Sequence, residues 1–157
     1  MTDTRRKPGR LPPKWFRRAA WRVHRGLYRA TGGRIGLWRP KPGGWGALRL
    51  TAVGRRSGEE RSVMLGYFED GPDYVTLAMN GWMEGEPAWW LNLQANPEAI
   101  IVVKGEEPRR IRARAAEGEE RDRLWDRWGE IDKDLDGWAS LRSTEAAVVV
   151  LEVPADE

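Results

Sequence analysis

The close spacing of short β-strand patterns in the middle of the sequence most strongly limits what this chain can fold into. Leu48, Leu50 and Ala52 alternate with polar residues, which is the period-two pattern of a strand with one buried face. Two more strand-like runs, 62–68 and 74–79, follow directly, and an Asp-Gly step typical of hairpin turns separates them. Turns this short join only antiparallel strands, because a parallel pair needs a long crossover. The first three strands are therefore predicted to form a meander.

Three further strands and two helices are predicted in the second half of the sequence. Residues 100–103, 111–115 and 148–153 carry the β-branched or alternating patterns of strands. A short helix is predicted from 87 to 96, with its proline at the first helical position, and an amphipathic helix from about 119 to 131. Because consecutive hairpins leave no room for parallel crossovers, these elements predict a mainly β fold with added helices (α+β), a six-stranded antiparallel barrel.

The sequence is predicted to divide into four regions. Residues 1–13 are polar and basic and contain prolines, so we expect a disordered tail. Residues 14–46 are expected to form an amphipathic basic helix, which ends at two consecutive glycines, and a linker rich in Pro and Gly. The barrel domain is expected over residues 47–154, and residues 155–157 form a short tail.

Charge is distributed unevenly along the 157 residues, whose net charge is only +3. Residues 1–44 hold 13 Lys and Arg against one Asp, whereas the remainder holds 14 against 23 acidic residues. A basic leader on an acidic body indicates a locally attracted anionic partner, such as lipid headgroups, nucleic acid or the body itself, and argues against a wholly basic nucleic-acid binder. Because the body is acidic, no nucleic-acid partner is predicted. Two interpretations of the N-terminal helix stay open. It lies on anionic lipid with Trp15, Phe16 and Trp21 inserted, or it packs over the barrel as a lid.

Several classes of protein are excluded by composition. Cysteine is absent and His24 is the only histidine, so neither disulfides nor thiolate or histidine metal centres are expected, and no metal site is predicted. No run approaches the ~20 apolar residues that span a bilayer, and no apolar segment of a signal peptide follows the basic N-terminus. These features predict a cytoplasmic protein, with peripheral contact at the inner face of the cell membrane as the alternative that the helix leaves open.

The first candidate for chemistry is the basic loop Gly54-Arg55-Arg56-Ser57-Gly58-Glu59-Glu60-Arg61 between two predicted strands. Guanidinium groups can bind phosphate or carboxylate in a bidentate manner, and this loop has three of them; its serine would add a donor, and its glycines would let backbone N–H groups approach an anion. The residues alone leave two alternatives, an anion site and a solvated charged hairpin.

The second candidate joins a glycine-containing loop, residues 80–86, to the aromatic start of the predicted short helix, residues 87–93. Backbone N–H groups at a helix start that is flanked by indole rings could hold a planar ring with polar edges. The alternative is that Trp89 is a core residue.

Together the two segments resemble the deazaflavin-dependent nitroreductase family, which includes quinone-reductase-like members. These are split-barrel oxidoreductases that use reduced 8-hydroxy-5-deazaflavin, coenzyme F-420. The family pattern Gly-Arg-Lys-Ser/Thr-Gly-x-x-Arg, followed after a hairpin by Pro-x-Trp-Tyr-x-Asn-Leu-x-Ala-Asn-Pro, is matched here by residues 54–61 and 87–97. The resemblance covers residues 48–153 and implies a six-stranded antiparallel split β-barrel with flanking helices, similar to the FMN-binding split barrels.

The resemblance also implies which residues contact the coenzyme. Arg55, Arg56, Ser57 and Arg61 would hold its phosphate and its acidic tail. Three further groups would line its ring and ribityl chain: Ser62, Val63, Met64, Leu65 and Gly66; Leu77, Ala78, Met79 and Asn80; and Ala88, Trp89, Trp90, Leu91 and Asn92.

In this family a hydride passes from the reduced coenzyme to a quinone, a nitroaromatic compound or an activated alkene, which implies a small planar apolar substrate. Flavin mononucleotide is the second candidate coenzyme. A homodimer is also expected, because related split barrels often dimerise.

The chain departs from the family pattern at three places. It has Met79-Asn80 in place of a Ser-Lys pair and residues 64–66 in place of a Pro-Leu-Tyr stretch. Leu135 and Trp138 stand where the family has substrate-contacting tyrosines, so these two residues are the candidates for substrate binding. Tyr67 is expected to point away from the site, which leaves the proton donor and any catalytic residue unassigned. A binding protein without turnover is therefore the alternative to an oxidoreductase.

Overall fold

A computed structural model describes residues 36–155 of the chain. The predicted basic tail and the predicted N-terminal helix lie outside these residues, as does most of the C-terminal tail. The described part includes the end of the predicted linker and the whole predicted barrel domain.

Six strands and three helices follow one another along the described residues. The strands are β1 (Gly46–Val53), β2 (Glu60–Asp70), β3 (Asp73–Ala78), β4 (Glu98–Val102), β5 (Arg109–Ala115) and β6 (Ala147–Glu152). The helices are α1 (Ala88–Ala95), α2 (Gly118–Ile131) and α3 (Leu135–Ala139), and a single 3-10 turn occupies Asn80–Trp82.

The strands form a closed barrel in the order β1-β2-β3-β6-β5-β4, with β1 also paired to β4. Every pairing is antiparallel, as the consecutive hairpins predict. A two-residue turn at Gly71-Pro72 joins β2 to β3, since Asp70 pairs with Asp73. The predicted antiparallel split-barrel fold is confirmed.

Some boundaries differ from the sequence prediction. Strand β2 begins at Glu60, because its ladder with β1 continues as far as the pair Val53 and Glu60. Pro87 is the N-cap of α1 and not its first helical residue, with φ −65° and ψ 145°. Helix α3 was not predicted, because five residues are too short for a periodic apolar pattern to be recognised.

The barrel interior is filled by side chains that alternate along the strands. Leu48, Leu50, Tyr67, Ile101 and Leu151 are completely buried there. Burying one large apolar side chain stabilises the folded state by about 1.5–3 kcal/mol, so this cluster supplies a large part of the driving force for barrel closure.

A second apolar cluster lies outside the barrel, where α2 covers β3 and β6. Leu124 and Trp128 of α2 pack against Phe68, Val75 and Val148 of the strands. The indole of Trp128 lies 4.9 Å from the ring of Phe68, measured between ring centroids. This face of the barrel is therefore closed by helix packing.

An ion-pair cluster fixes α2 to the turn between β2 and β3. Arg123 donates to both carboxylate oxygens of Asp70 at 2.9 Å, and Arg127 donates to the same carboxylate at 3.0 Å. The hydrogen bond from Arg123 lowers the pKa of Asp70 below its ordinary value. The guanidinium of Arg127 also stacks 4.1 Å above the ring of Phe68.

The ladder between β2 and β3 is incomplete, and the gap positions the candidate site. Only residues 68–70 of β2 and 73–75 of β3 pair with each other. Residues 60–67 of β2 pair with β1, and residues 76–78 of β3 pair with β6. The two strands thus separate towards the barrel end that carries the loop between β1 and β2.

Gly46 and Gly129 offer a matched pair of Gly→Ala tests. A Cβ atom at Gly46 would lie 2.6 Å from the carbonyl oxygen of Trp38 and 2.8 Å from the nitrogen of Pro40, whereas a Cβ atom at Gly129 meets nothing within 4 Å. We expect Gly46→Ala to lower the free energy of unfolding by about 1–3 kcal/mol through overpacking. Gly129→Ala should raise it by about 0.5–1 kcal/mol, since alanine favours a helix. Urea denaturation measures both, and equal effects would contradict the described backbone approach.

Candidate functional site

The loop between β1 and β2 is a turn whose backbone is closed on itself. The N–H of Gly54 donates to the carbonyl of Glu59 at 2.7 Å, and the N–H of Gly58 donates to the carbonyl of Gly54 at 2.9 Å. Gly58 has φ +71°, a conformation that favours glycine. The hydroxyl of Ser57 accepts a 3.2 Å hydrogen bond from the N–H of Glu59. The turn is thus ordered by its own contacts while its side chains face solvent.

A single buried side chain joins this loop to α1. The carboxamide oxygen of Asn92, a residue only 7% exposed, accepts hydrogen bonds from the backbone N–H of Arg55 at 3.1 Å and from its guanidinium at 3.0 Å. The two sequence segments that suggested a site therefore meet in the structure, through residues 37 positions apart.

The remaining basic groups of the loop are available to a ligand. Arg56 is exposed and has no hydrogen-bond or ion-pair partner within residues 36–155. Arg61 pairs with Glu59 at 3.3 Å, but both side chains are more than half exposed, and such pairs contribute little. Together with the tethered Arg55, these guanidinium groups fit an anionic ligand such as the phosphate of a coenzyme.

The predicted ring-lining segments lie beside the gap between β2 and β3. Residues 62–66 belong to the part of β2 that pairs with β1 alone, and residues 76–78 to the part of β3 that pairs with β6 alone. The side chains of Met64, Leu65, Leu77 and Ala78 are buried. What these segments can offer a planar ligand is therefore mainly backbone N–H and C=O groups.

Polar side chains at the edge of β2 are paired across the ladder. The hydroxyls of Thr51 and Ser62 lie 2.7 Å apart and are exposed. Val63 is half-buried and Gly66 lies under the ring of Trp45, where a Cβ atom would approach Cε3 to 3.2 Å.

The segment after β3 has an unusual backbone. Asn80, Gly81 and Trp82 have φ values of +51°, +62° and +60° in succession. A residue other than glycine in this region costs about 1–3 kcal/mol and persists only where its surroundings enforce it. The amide of Asn80 donates to the carbonyls of Glu84 and Gly85 at 3.0 and 3.2 Å, which closes the loop across its base. Met79, next to this turn, is 37% exposed.

Arg142 is a residue of this region that the sequence patterns did not indicate. Its side chain is completely buried, and its guanidinium donates to the carbonyl of Ala78 at 3.0 Å and to the carbonyl of Gly85 at 3.1 Å. It also lies 3.4 Å from a carboxylate oxygen of Glu86. No periodic signal marks it, since it stands in the irregular segment between α3 and β6.

The aromatic start of α1 belongs partly to the core. Trp90 is 6% exposed and lies in the barrel cluster, and the half-buried Trp89 packs against the same cluster. Trp89 is therefore partly a core residue, as the alternative interpretation expected, and part of its side chain is exposed. Ala88 is exposed and Leu91 is half-buried, so α1 can present only part of the predicted segment to a ligand.

The two candidates for substrate binding differ in exposure. Leu135 is 2% exposed and packs in the second apolar cluster, so its side chain anchors α3 and offers no surface to a substrate. Substrate contact by Leu135 stays a prediction that this buried position does not support. Trp138 is half-buried on the same short helix and stays a candidate.

Tyr67 points into the barrel, as expected. Its side chain is completely buried, and its hydroxyl has no hydrogen-bond partner within residues 36–155. Burial raises the pKa of Tyr67 to about 12. A buried phenol facing the barrel core does not donate a proton to a ligand at the barrel rim.

A solved structure connects this geometry with a known class of protein. The chain superposes on a structure titled as an F420-H2 dependent reductase (FDR-A) with a TM-score of 0.60 and 27% identity, over 68% of this chain and 93% of that one. The fold thus places the chain in the class of split-barrel proteins to which that reductase belongs.

The family follows from the sequence comparison. The model of the F420H(2)-dependent quinone reductase family matches residues 20–153, and the chain belongs to this family. It is 38% identical over 82 residues to the F420H(2)-dependent quinone reductase Rv1261c of Mycobacterium tuberculosis. A second relative is Rv3178 of the same organism, which is named provisionally as an F420H(2)-dependent quinone reductase. The two chains are 30% identical over 116 residues, which is 74% of this chain and 93% of the relative.

The match to Rv1261c covers 52% of this chain and 54% of that protein, so the chain spans about half the length of the first relatives that it matches. Within residues 36–155, no helix has the length and apolar character that crossing a membrane requires. The same residues contain no group of His, Cys, Asp and Glu side chains arranged for a metal ion.

The shifted pKa of Tyr67 predicts an alkaline titration with a late component. A folded-state pKa of about 12, above the ordinary value of 10.0, means that the contribution to stability is complete below pH 10 and is lost as the pH rises towards 12. Absorbance of tyrosinate should therefore show a component near pH 12 that Tyr67→Phe removes. Ionisation of Tyr67 near pH 10 in protein that circular dichroism shows to be folded would contradict its burial.

Proposed function

We propose that this chain is an oxidoreductase that transfers a hydride from the reduced deazaflavin coenzyme F-420 to a quinone, with nitroaromatic compounds or activated alkenes as further acceptors. Family membership supports the coenzyme and the quinone. The observation that carries the proposal is the tether between Asn92 and Arg55, which joins a basic loop to an aromatic helix at one barrel rim. The tether supports the proposal because it brings a loop with three guanidinium groups next to the aromatic start of α1.

The proposed coenzyme site has a polar end and a flat end. Arg55, Arg56, Ser57 and Arg61 would bind the phosphate and the acidic tail through charge-assisted hydrogen bonds. Residues 62–66, 77–80 and 88–92 would line the ring and the ribityl chain. The unpaired edges of β2 and β3 support this assignment, because backbone N–H and C=O groups match the amide-like edge of the ring. The same donor groups would also bind flavin mononucleotide, which stays the second candidate coenzyme.

The bound coenzyme would supply the hydride, and the residues of the chain would orient and shield the reacting faces. The exposed side of Met79 and the free surface of Trp89 are apolar and suit a small planar acceptor. Trp138 would contact the acceptor from α3. The buried Tyr67 is excluded as the proton donor by its position, so the acceptor would receive its proton from water.

The double variant Arg55→Glu with Arg56→Glu tests the proposed anchor. We expect its affinity for the coenzyme, followed by fluorescence quenching or polarisation, to fall at least 100-fold, because two attractive charges become repulsive and each charge-assisted bond contributes about 1.5–3 kcal/mol. The matched control is Lys104→Glu with Lys133→Glu, which changes the net charge equally at two exposed positions outside the site. Equal affinities of the two double variants would exclude the loop as the anchor.

Turnover separates an enzyme from a binding protein. The wild-type protein should oxidise the reduced coenzyme only when a quinone is added. The reaction is measured by the loss of the absorbance of the reduced coenzyme and the recovery of that of the oxidised coenzyme. Binding without acceptor-dependent oxidation across quinones, nitroaromatic compounds and alkenes would favour sequestration of the coenzyme over catalysis.

Two associations remain proposals. A homodimer is supported by a structure titled as a domain-swapped dimer, which matches with a TM-score of 0.64 and 27% identity over 88% of this chain.

Peripheral membrane contact through the N-terminal segment is supported by the basic charge of residues 1–44 and by Trp38 and Trp45, which are 38% and 46% exposed where that segment enters the barrel.

Vesicle binding tests the membrane proposal. We expect the full chain to cosediment with vesicles that contain anionic lipid and not with purely zwitterionic ones, since each Lys or Arg near such a surface adds about 1 kcal/mol. Deleting residues 1–30 should abolish the binding. Binding that is the same without these residues would contradict the proposed role of the segment, and a full chain that does not cosediment with anionic vesicles would favour the interpretation of the helix as a lid.

A further inference from the structure

We propose that Arg142 is a positioning residue that holds the loop of residues 79–86 in the shape needed beside the coenzyme ring. This inference rests on the function proposed above, since it assigns a role within the same site. Arg142 lies outside every segment that the sequence patterns connected with the coenzyme.

One guanidinium group connects the two ends of the loop. Its Nη1 donates to the carbonyl of Ala78, the last residue of β3, at 3.0 Å. Its Nη2 donates to the carbonyl of Gly85 at 3.1 Å and lies 3.4 Å from Oε1 of Glu86. The side chain is 0% exposed, so water does not compete for these bonds. Arg142 therefore fixes the distance between the end of β3 and the entry to α1.

The neighbouring residue adds a second contact to the same loop. The N–H and the hydroxyl of Ser143 donate to the two carboxylate oxygens of Glu84 at 2.8 and 2.7 Å. The hydrogen bond from the Ser143 hydroxyl lowers the pKa of Glu84 below its ordinary value. Two consecutive residues after α3 thus bind three consecutive residues of the loop.

The loop between these contacts is in a conformation that it would not keep alone. Its backbone has positive φ at Asn80 and Trp82, and Asn80 and Arg142 both donate to the carbonyl of Gly85. Residues held in such conformations need surroundings that enforce them. The enforced turn lies directly after Met79, whose exposed side chain is a candidate contact for the ring and its acceptor.

Stability alone is a poor account of this contact. A buried guanidinium loses its hydration, and the Nε atom of Arg142 has no hydrogen-bond partner within residues 36–155. An apolar side chain of similar volume would avoid that cost, but it could not bind two carbonyl groups at once. What the guanidinium provides is a defined geometry of the loop.

The test separates binding of the coenzyme from hydride transfer. In Arg142→Met the anion anchor at Arg55 and Arg56 is intact, so we expect the Kd of the coenzyme to change less than threefold. The single-turnover rate of quinone reduction should fall at least tenfold, because the ring and the acceptor are no longer held in register. Arg142→Lys should recover part of the rate, since an ammonium group can still donate to the carbonyls.

Arg121→Met is the matched control. Arg121 also donates to a backbone carbonyl, that of Ala146 at 3.0 Å, and is largely buried, but its hydrogen bond and its ion pair within residues 36–155 go to Ala146 and Glu145 and not to the loop. This variant should leave both Kd and rate unchanged. Equal single-turnover rates of wild-type protein, Arg142→Met and Arg142→Lys would overturn the proposal, as would a parallel loss of affinity and rate in the folded variants.

Hydrogen exchange gives a readout that does not depend on the coenzyme or on Arg142→Met being folded. The amides of residues 80–85 should exchange at least tenfold faster in Arg142→Lys than in the wild-type protein, with the barrel strands unchanged. Unchanged exchange of these amides would overturn the role of Arg142. If the wild-type protein fails to bind the coenzyme while the exchange differs as expected, the proposed function is wrong and the connection of the loop by Arg142 is retained.

Discussion

The candidate site depends on one buried amide. Asn92 has a single carboxamide oxygen, and both hydrogen bonds that it accepts come from Arg55. A buried acceptor of this kind costs free energy when unpaired, so the loop is drawn to α1 as the barrel forms. Without this contact the basic loop would be an ordinary solvated turn, and the aromatic helix would only close the end of the core. The interaction therefore brings the basic loop and the aromatic helix, each a weak indication of a site by itself, to one position in the structure.

The second constraint is that one face of the barrel is covered by a helix and another is open. Helix α2 covers β3 and β6 with a continuous apolar cluster, whereas β2 and β3 separate at the rim that carries the loop. Rigidity on one side and an opening on the other suit a site that must hold a ring without deforming the core. Arg142 extends this arrangement, since it braces the loop that borders the opening from the helix-covered side.

Much of the fold could be predicted from local patterns. Period-two alternation, β-branched runs and short turns located all six strands, because a strand that is half buried or fully buried imposes such patterns on its own residues, and tight turns predicted their antiparallel pairing. The family resemblance named residues within 54–61 and Asn92 as coenzyme contacts, and that role stays a prediction. Arg142 and the separation of β2 from β3 were not predicted, since both arise between segments distant in sequence. The burial of Leu135 was not predicted either, because sequence position does not report which side of a short helix is buried.

The gap between β2 and β3 also affects how well the folded protein resists aggregation. A closed barrel protects its strands from pairing with other chains, but residues 60–67 and 76–78 each have one edge without a strand partner within the described part of the chain. A ligand seated there shields those edges and, by mass action, stabilises the folded state in proportion to the logarithm of its concentration. A higher concentration of such a ligand would therefore lower the population of open forms that aggregate or are cleaved by proteases.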